Sequence, residues 1–120
     1  MATEKITKED LQQKIYEINP DNDDPRKGFA LVNVLPKESF NEEHIPYSIN
    51  IPKGNEDEYT KRFEKEKEII VYCSSPQCKA SSHVAQTLRD QGFQKVKHYE
   101  GGMKEWKESG EQAESASGIQ

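Results

Sequence analysis

The sequence predicts an α/β domain built on a central parallel sheet of about five strands with helices on both faces. Three observations predict it. The runs Phe29-Ala30-Leu31-Val32-Asn33-Val34-Leu35 and Glu68-Ile69-Ile70-Val71-Tyr72 are nearly continuous in apolar residues, the pattern of strands covered on both faces. Segments of helical periodicity alternate with strand-like ones along the chain. No hairpin signal joins one strand to the next, so the connections are crossovers and the strands run parallel.

Taken in order, Thr7 precedes Lys8, Glu9 and Asp10, and Leu11, Ile15 and Ile18 follow at helical spacing, which predicts a capped helix with one apolar stripe. The segment PDNDDPRKG over residues 20–28 reads as a solvated loop. After the Phe29–Leu35 strand, a short helical piece over 37–43 leads to His44-Ile45-Pro46, and Ser48-Ile49-Asn50-Ile51 alternates like a short strand before Pro52. Residues 56–67 carry Tyr59 and Phe63 four apart, enough for a weakly amphipathic surface helix. The second confident strand ends at Cys73. Ser81–Gln91 then reads as a helix with Val84 and Leu88 on one face, stopped by Gly92 in a left-handed cap with Phe93 placed to touch Leu88. Val96–Tyr99 is a further strand, Gly101-Gly102 turns the chain, and Met103 and Trp106 mark a last helix, with Trp106 in the core.

A chain of 120 residues has room for one domain with a single core. Residues 1–109 form it, and 110–120, GEQAESASGIQ, have little to bury and are expected to be a disordered tail. The charge is 17 basic minus 22 acidic residues, or -5, with the two signs interspersed, which argues against an extended nucleic-acid footprint. The hydrophobic fraction of 32% and mean hydropathy of -1.05 are low, in keeping with polar segments outside the core. No stretch has the length of a membrane span or the character of a secretory signal, so no membrane partner and a cytoplasmic location are expected. Two cysteines and three histidines without paired metal spacing do not make a zinc site.

The stretch Val71-Tyr72-Cys73-Ser74-Ser75-Pro76-Gln77-Cys78-Lys79-Ala80-Ser81 holds the chemistry. A cysteine between a strand and a helix feels unpaired first-turn amides and the positive end of the helix dipole, so Cys73 is expected to be acidic and nucleophilic. Lys79 adds a cation, and Ser74, Ser75 and Gln77 add short polar donors, so the loop from Ser74 through Pro76 to Lys79 is suited to wrap an anion with its backbone amides. Two bland readings stand beside this one: Cys73 as a small buried hydrophobe, and Lys79 as a solvated lysine. Cys78, in the same loop, is either a resolving thiol able to attack a persulfide or oxidised form of Cys73, or a bystander. His44 is read as fixing the turn before Ile45-Pro46 by a hydrogen bond, and His83 has no assigned orientation.

These residues resemble the rhodanese-like domains over roughly residues 5–109. LVNVLPKESFNEEHIPYSINIP is similar to the family's first motif, IIVYC with its loop and helix to the active-site motif, and GF-x-x-V with YEGGMKEW to the closing motif. The resemblance implies a sulfurtransferase: the Cys73 thiol takes a sulfane sulfur from a small anionic donor such as thiosulfate, becomes a persulfide cradled by Ser74–Lys79, and passes the sulfur to a thiol or protein acceptor, with no metal or organic cofactor. Three departures accompany it. Asn33-Val34-Leu35 stands where Asp-Val-Arg is usual, so a charged pair near the site must be replaced by other support. Glu43-His44-Ile45-Pro46-Tyr47-Ser48 stands where Gly-His-Ile-Pro-Gly-Ala is common. The segment from Cys73 to Gly92 is two residues longer than the family's shortest common form. The longer loop admits two alternatives, a non-catalytic binding or redox-sensing module and a rhodanese-like phosphatase or arsenate reductase. The latter use arginine after five intervening residues, where this chain has Lys79, a point charge that cannot grip two phosphate oxygens at once.

Overall fold

A computed structural model describes residues 4–16, 29–75 and 78–110. Ile18, the 20–28 loop and the 111–120 tail therefore lie outside the described residues. Five strands, β1 (Glu4–Lys5), β2 (Ala30–Asn33), β3 (Ile49–Asn50), β4 (Glu68–Tyr72) and β5 (Lys95–Tyr99), alternate with five helices, α1 (Lys8–Tyr16), α2 (Lys37–Glu42), α3 (Asp57–Arg62), α4 (Ala80–Asp90) and α5 (Gly102–Glu108). The sheet order is β1-β5-β4-β2-β3 and every pairing is parallel. The chain leaves β2 toward β3 on one side and leaves β4 toward β5 on the other. The carboxyl ends of β2 and β4 thus flank the point where strand order reverses, where ligands bind in open α/β sheets.

Alternation along β4 divides the core. Ile69 and Val71, with Ala30, Val32 and Val96, pack against Tyr59 of α3 and Val84, Ala85 and Leu88 of α4. Ile70 and Tyr72, with Leu31 and Tyr99, pack against Leu11 and Ile15 of α1 and Met103 and Trp106 of α5. Burying each large apolar side chain of this kind stabilises the fold by roughly 1.5–3 kcal/mol. Tyr59 is fully buried while the rest of α3 faces outward, the weakly amphipathic surface helix its sequence predicts.

The caps agree with the sequence. The Asp10 amide donates to Thr7 Oγ1 at 3.1 Å, closing the start of α1. At the end of α4 Gly92 has φ 105°, its amide donates to the Arg89 carbonyl, and the Phe93 amide donates to Leu88 at 3.1 Å, which seats Phe93 beside Leu88 in the core. β1 has no counterpart in the sequence reading: two residues are too few to show a period, and only pairing with Lys97 and His98 of β5 defines it.

Glu68 ties three elements together at the start of β4. Lys14 Nζ and Lys97 Nζ each donate to one of its carboxylate oxygens at 3.0 Å. Partial burial raises the Glu68 carboxyl, but the hydrogen bonds from Lys97 and Lys14 outweigh it and hold the group below the usual carboxylate range. A carboxyl lowered in the folded state contributes stability above its unfolded pKa, and that contribution is lost as pH falls through the folded value. Glu68→Gln is therefore expected to lower unfolding free energy by about 1 kcal/mol at neutral pH. In urea titrations the gap from the parent should close as pH drops below the carboxylate range; a gap that persisted in acid would mean the effect is packing and not charge.

Candidate active site

Cys73 directly follows β4 and is 1% exposed, on the α4 side of the sheet with Val71. Its backbone is held from the other end of the chain. The Met103 amide donates to the Cys73 carbonyl at 3.0 Å, and the Lys104 amide donates to the Ser74 carbonyl at 2.8 Å. The first turn of α5 therefore uses amides that have no partner within the helix to clamp the loop. Gly102 allows this approach: it has φ 64°, and a Cβ there would overlap the Cys73 carbonyl oxygen and come within 2.9 Å of the Ser74 carbonyl carbon. The loop then turns, the Cys78 amide donating to the Ser75 carbonyl at 3.0 Å, and α4 begins at Ala80.

The Cys73 thiol is surrounded by acceptors. Its Sγ lies 3.4 Å from the Cys78 carbonyl oxygen, 3.6 Å from Ser81 Oγ and 4.0 Å from the Ser75 carbonyl oxygen. The Cys78 side chain packs against the cluster that holds Cys73. Burial pushes the Cys73 thiol above the ordinary cysteine value, and the neighbouring Cys78 adds to the rise against the Ser81 hydroxyl and amide. This reverses the sequence expectation of an acidic Cys73, because the desolvation of a residue sealed into the core outweighs the amides of the next helix. Cys78 is the acidic partner. Its own partial burial acts upward, but hydrogen bonds from the Cys73 side chain, the Ala80 amide and Ser74 outweigh that and hold it below the ordinary value. The two thiols titrate as a pair, Cys73 held above and Cys78 below the ordinary cysteine value.

Alkylation rates read this arrangement. With iodoacetamide, Cys78 is expected to be modified first and at lower pH than a free cysteine, as peptide masses would show. In Cys78→Ser the labelling of Cys73 is expected to move to lower pH, because the neighbouring sulfur that adds to its rise is gone. Faster labelling of Cys73 than of Cys78 near neutral pH would contradict the assignment.

Of the other residues expected in the loop, Ser74 is exposed, Ser75 and Cys78 are partly buried, and Lys79 is exposed, while Pro76 and Gln77 lie outside the described residues. The charge of Lys79 is felt at the tip of β5: burial first, then Lys5 and Lys79, lower His98 below the usual histidine value against Glu100. His83 points its residue to solvent on α4. Sequence reasoning missed Ser81, which is 1% exposed and touches Cys73. The signal was present: Ser81 lies three residues before Val84 on the stripe that continues through Ala85 and Leu88.

The missing charged pair is replaced by a neutral network. Asn33 Nδ2 donates to the Tyr72 hydroxyl oxygen at 3.2 Å, and the Ile45 amide donates to the same oxygen at 3.0 Å. That leaves the Tyr72 hydrogen for Ser48 Oγ at 2.8 Å, and the Ser48 hydrogen for the Ile45 carbonyl at 2.6 Å. Asn33 Oδ1 accepts from the Leu35 amide at 2.9 Å. Burial pushes the Tyr72 phenol up to about 12, so it stays neutral. The turn departs from glycine at a cost: Tyr47 sits at φ 72°, a conformation that bulky side chains seldom adopt. His44 acts as expected, its Nδ1 donating to the Phe40 carbonyl at 2.8 Å while its ring stacks on Phe40 at 3.9 Å.

A parallel sheet reversing beside a strand-end cysteine, with the cysteine loop clamped by the closing helix, defines a class of α/β domain that presents a thiol at the carboxyl edge of its central strand. The chain belongs to the rhodanese-like domain family, whose model matches residues 7–109. It is 33% identical over 82 residues to the thiosulfate sulfurtransferase GlpE of Coxiella burnetii, covering 68% of this chain and 75% of that protein. The crystal structure of the BH2092 protein of Bacillus halodurans superposes with a TM-score of 0.81 at 32% identity, over 96% of this chain and 79% of that one. A rhodanese-like domain of the Anabaena protein Alr3790 superposes with a TM-score of 0.66 at 28% identity, over 72% and 98%. Among the described residues no helix is long and apolar enough to cross a membrane, and no three His, Cys, Asp or Glu side chains converge as metal ligands.

Proposed function

We propose that the protein is a sulfurtransferase that takes a sulfane sulfur from a small anionic donor such as thiosulfate, carries it as a Cys73 persulfide and delivers it to a thiol or protein acceptor. The observation that carries this reading is the placement of Cys73 at the end of the central strand, with its thiol 3.4 Å from the Cys78 carbonyl oxygen in the loop that follows. In loading, Cys73 gives its proton to a base of the medium and its Sγ attacks the outer sulfur of thiosulfate. The sulfur–sulfur bond of the donor breaks and sulfite leaves with the electron pair. The Ser81 hydroxyl and amide, which lie against Cys73 Sγ, are the donors at hand for the resulting anionic sulfur. The similarity to GlpE supports this substrate class, and an exposed Lys79 in place of arginine disfavours the phosphatase reading.

The test is the intact mass of the reduced protein, freed of reductant, after exposure to thiosulfate under nitrogen, with peptide mapping of any adduct. A sulfur atom added transiently or stably at Cys73 is the expected result. If neither the parent nor its cysteine variants take up sulfur from thiosulfate or an organic polysulfide, the reading falls, and a non-catalytic binding module becomes the better account.

A further inference from the structure

Cys78 is not required for a thiol to hold and donate sulfur, yet it is packed against the one that does. Three observations give it a direction. Its carbonyl oxygen lies 3.4 Å from Cys73 Sγ and its side chain packs against the cluster that holds Cys73, so the two residues are neighbours before any reaction. Its amide closes a turn on the Ser75 carbonyl, which holds it in the loop over Cys73. It is partly exposed where Cys73 is sealed to 1%.

We propose that Cys78 discharges the Cys73 persulfide internally, releasing hydrosulfide and leaving a Cys73–Cys78 disulfide that an external dithiol reduces. The proposal rests on the sulfur-carrier reading above and adds a product and a co-substrate class to it. In the step, the outer sulfur takes a proton from water, and the Cys78 thiolate attacks Cys73 Sγ. The bond between Cys73 Sγ and the outer sulfur breaks, the Sγ–Sγ bond forms, and HS⁻ leaves. The outer sulfur gains two electrons, one from each cysteine.

Attack on the outer sulfur instead would expel Cys73 as thiolate, which burial disfavours, whereas hydrosulfide is a good leaving group near neutrality. The inner attack is therefore the productive one. Reduction begins at Cys78, where access decides: a dithiol in solution reaches the partly exposed sulfur and not the sealed one. The domain would then run a dithiol-driven reduction of sulfane sulfur to sulfide, alongside delivery to an acceptor.

The experiment compares the parent with Cys78→Ser and Cys78→Ala, each reduced, desalted under nitrogen, left with thiosulfate to an endpoint, and desalted again. Intact mass and dissolved sulfide are followed with no thiol present. The expected result is a persistent added sulfur in both variants. In the parent it is lost, with one equivalent of sulfide released, a mass two hydrogens below the reduced protein, and a mapped Cys73–Cys78 disulfide that dithiothreitol reopens. A parent that keeps its added sulfur as long as the variants overturns the discharge while leaving the carrier reading intact. Disulfide formed without matching sulfide also overturns it. Variants that never gain sulfur overturn the carrier reading itself, and the discharge with it.

Discussion

Cys73→Ser is expected to reduce thiosulfate-dependent sulfur transfer by at least about three orders of magnitude while leaving the fold standing. The reason lies in what serine keeps and what it loses. Its hydroxyl occupies nearly the volume of the thiol and can donate to the Cys78 carbonyl or Ser81 Oγ, the acceptors now 3.4 and 3.6 Å from the sulfur. The cost of burying that hydroxyl in an apolar cluster is about 1–2 kcal/mol, which a domain of this size tolerates. The Cys78 thiolate is too weak a base to ionise an alcohol, and oxygen cannot form the persulfide. Thermal denaturation and thiocyanate formation from thiosulfate and cyanide, measured on the same preparation, separate the two effects. Retained turnover with a folded protein would show that Cys73 is not the sulfur carrier.

Gly102→Ala is expected to be the most damaging substitution that removes no reacting atom. At φ 64° an alanine is strained by about 1–2 kcal/mol on backbone grounds alone. Its Cβ would also meet the backbone of Cys73, Ser74 and Ser75, and none of these is the free end of a flexible side chain. Either α5 moves, breaking the amide bonds to the Cys73 and Ser74 carbonyls, or the cysteine loop moves. A displacement near 1 Å at a reacting group can cost about 100-fold in rate, so loading should fall by that order. Unfolding free energy should drop by about 2–3 kcal/mol. Gly101→Ala supplies a milder contrast: its φ is -61°, and a Cβ there would meet the Glu105 side chain, whose carboxylate can rotate away while its Cβ, 2.7 Å off, calls for a small shift within α5. Equal losses in the two variants would show that the close approach at Gly102 is unimportant.

The division between what was readable and what was not follows the range of the forces involved. Periodicity and capping act within a few residues. The sequence alone therefore determined β4 to its last residue, the Gly92 cap with Phe93 on Leu88, the burial of Trp106, and the position of Cys73 at a strand end. The motif order determined the family. Tertiary structure decided the rest. β1 exists because β5 offers it an edge, and Tyr59 is core because α3 packs on the sheet. The network replacing the charged pair joins Asn33, Ile45, Ser48 and Tyr72, residues up to 39 apart in sequence. The acidity of Cys73 came out opposite to the local expectation for the same reason. A helix start and a nearby lysine are visible in the chain, but desolvation depends on what packs around the sulfur, and that is set by α4, the clamp from α5 and the turn at Cys78.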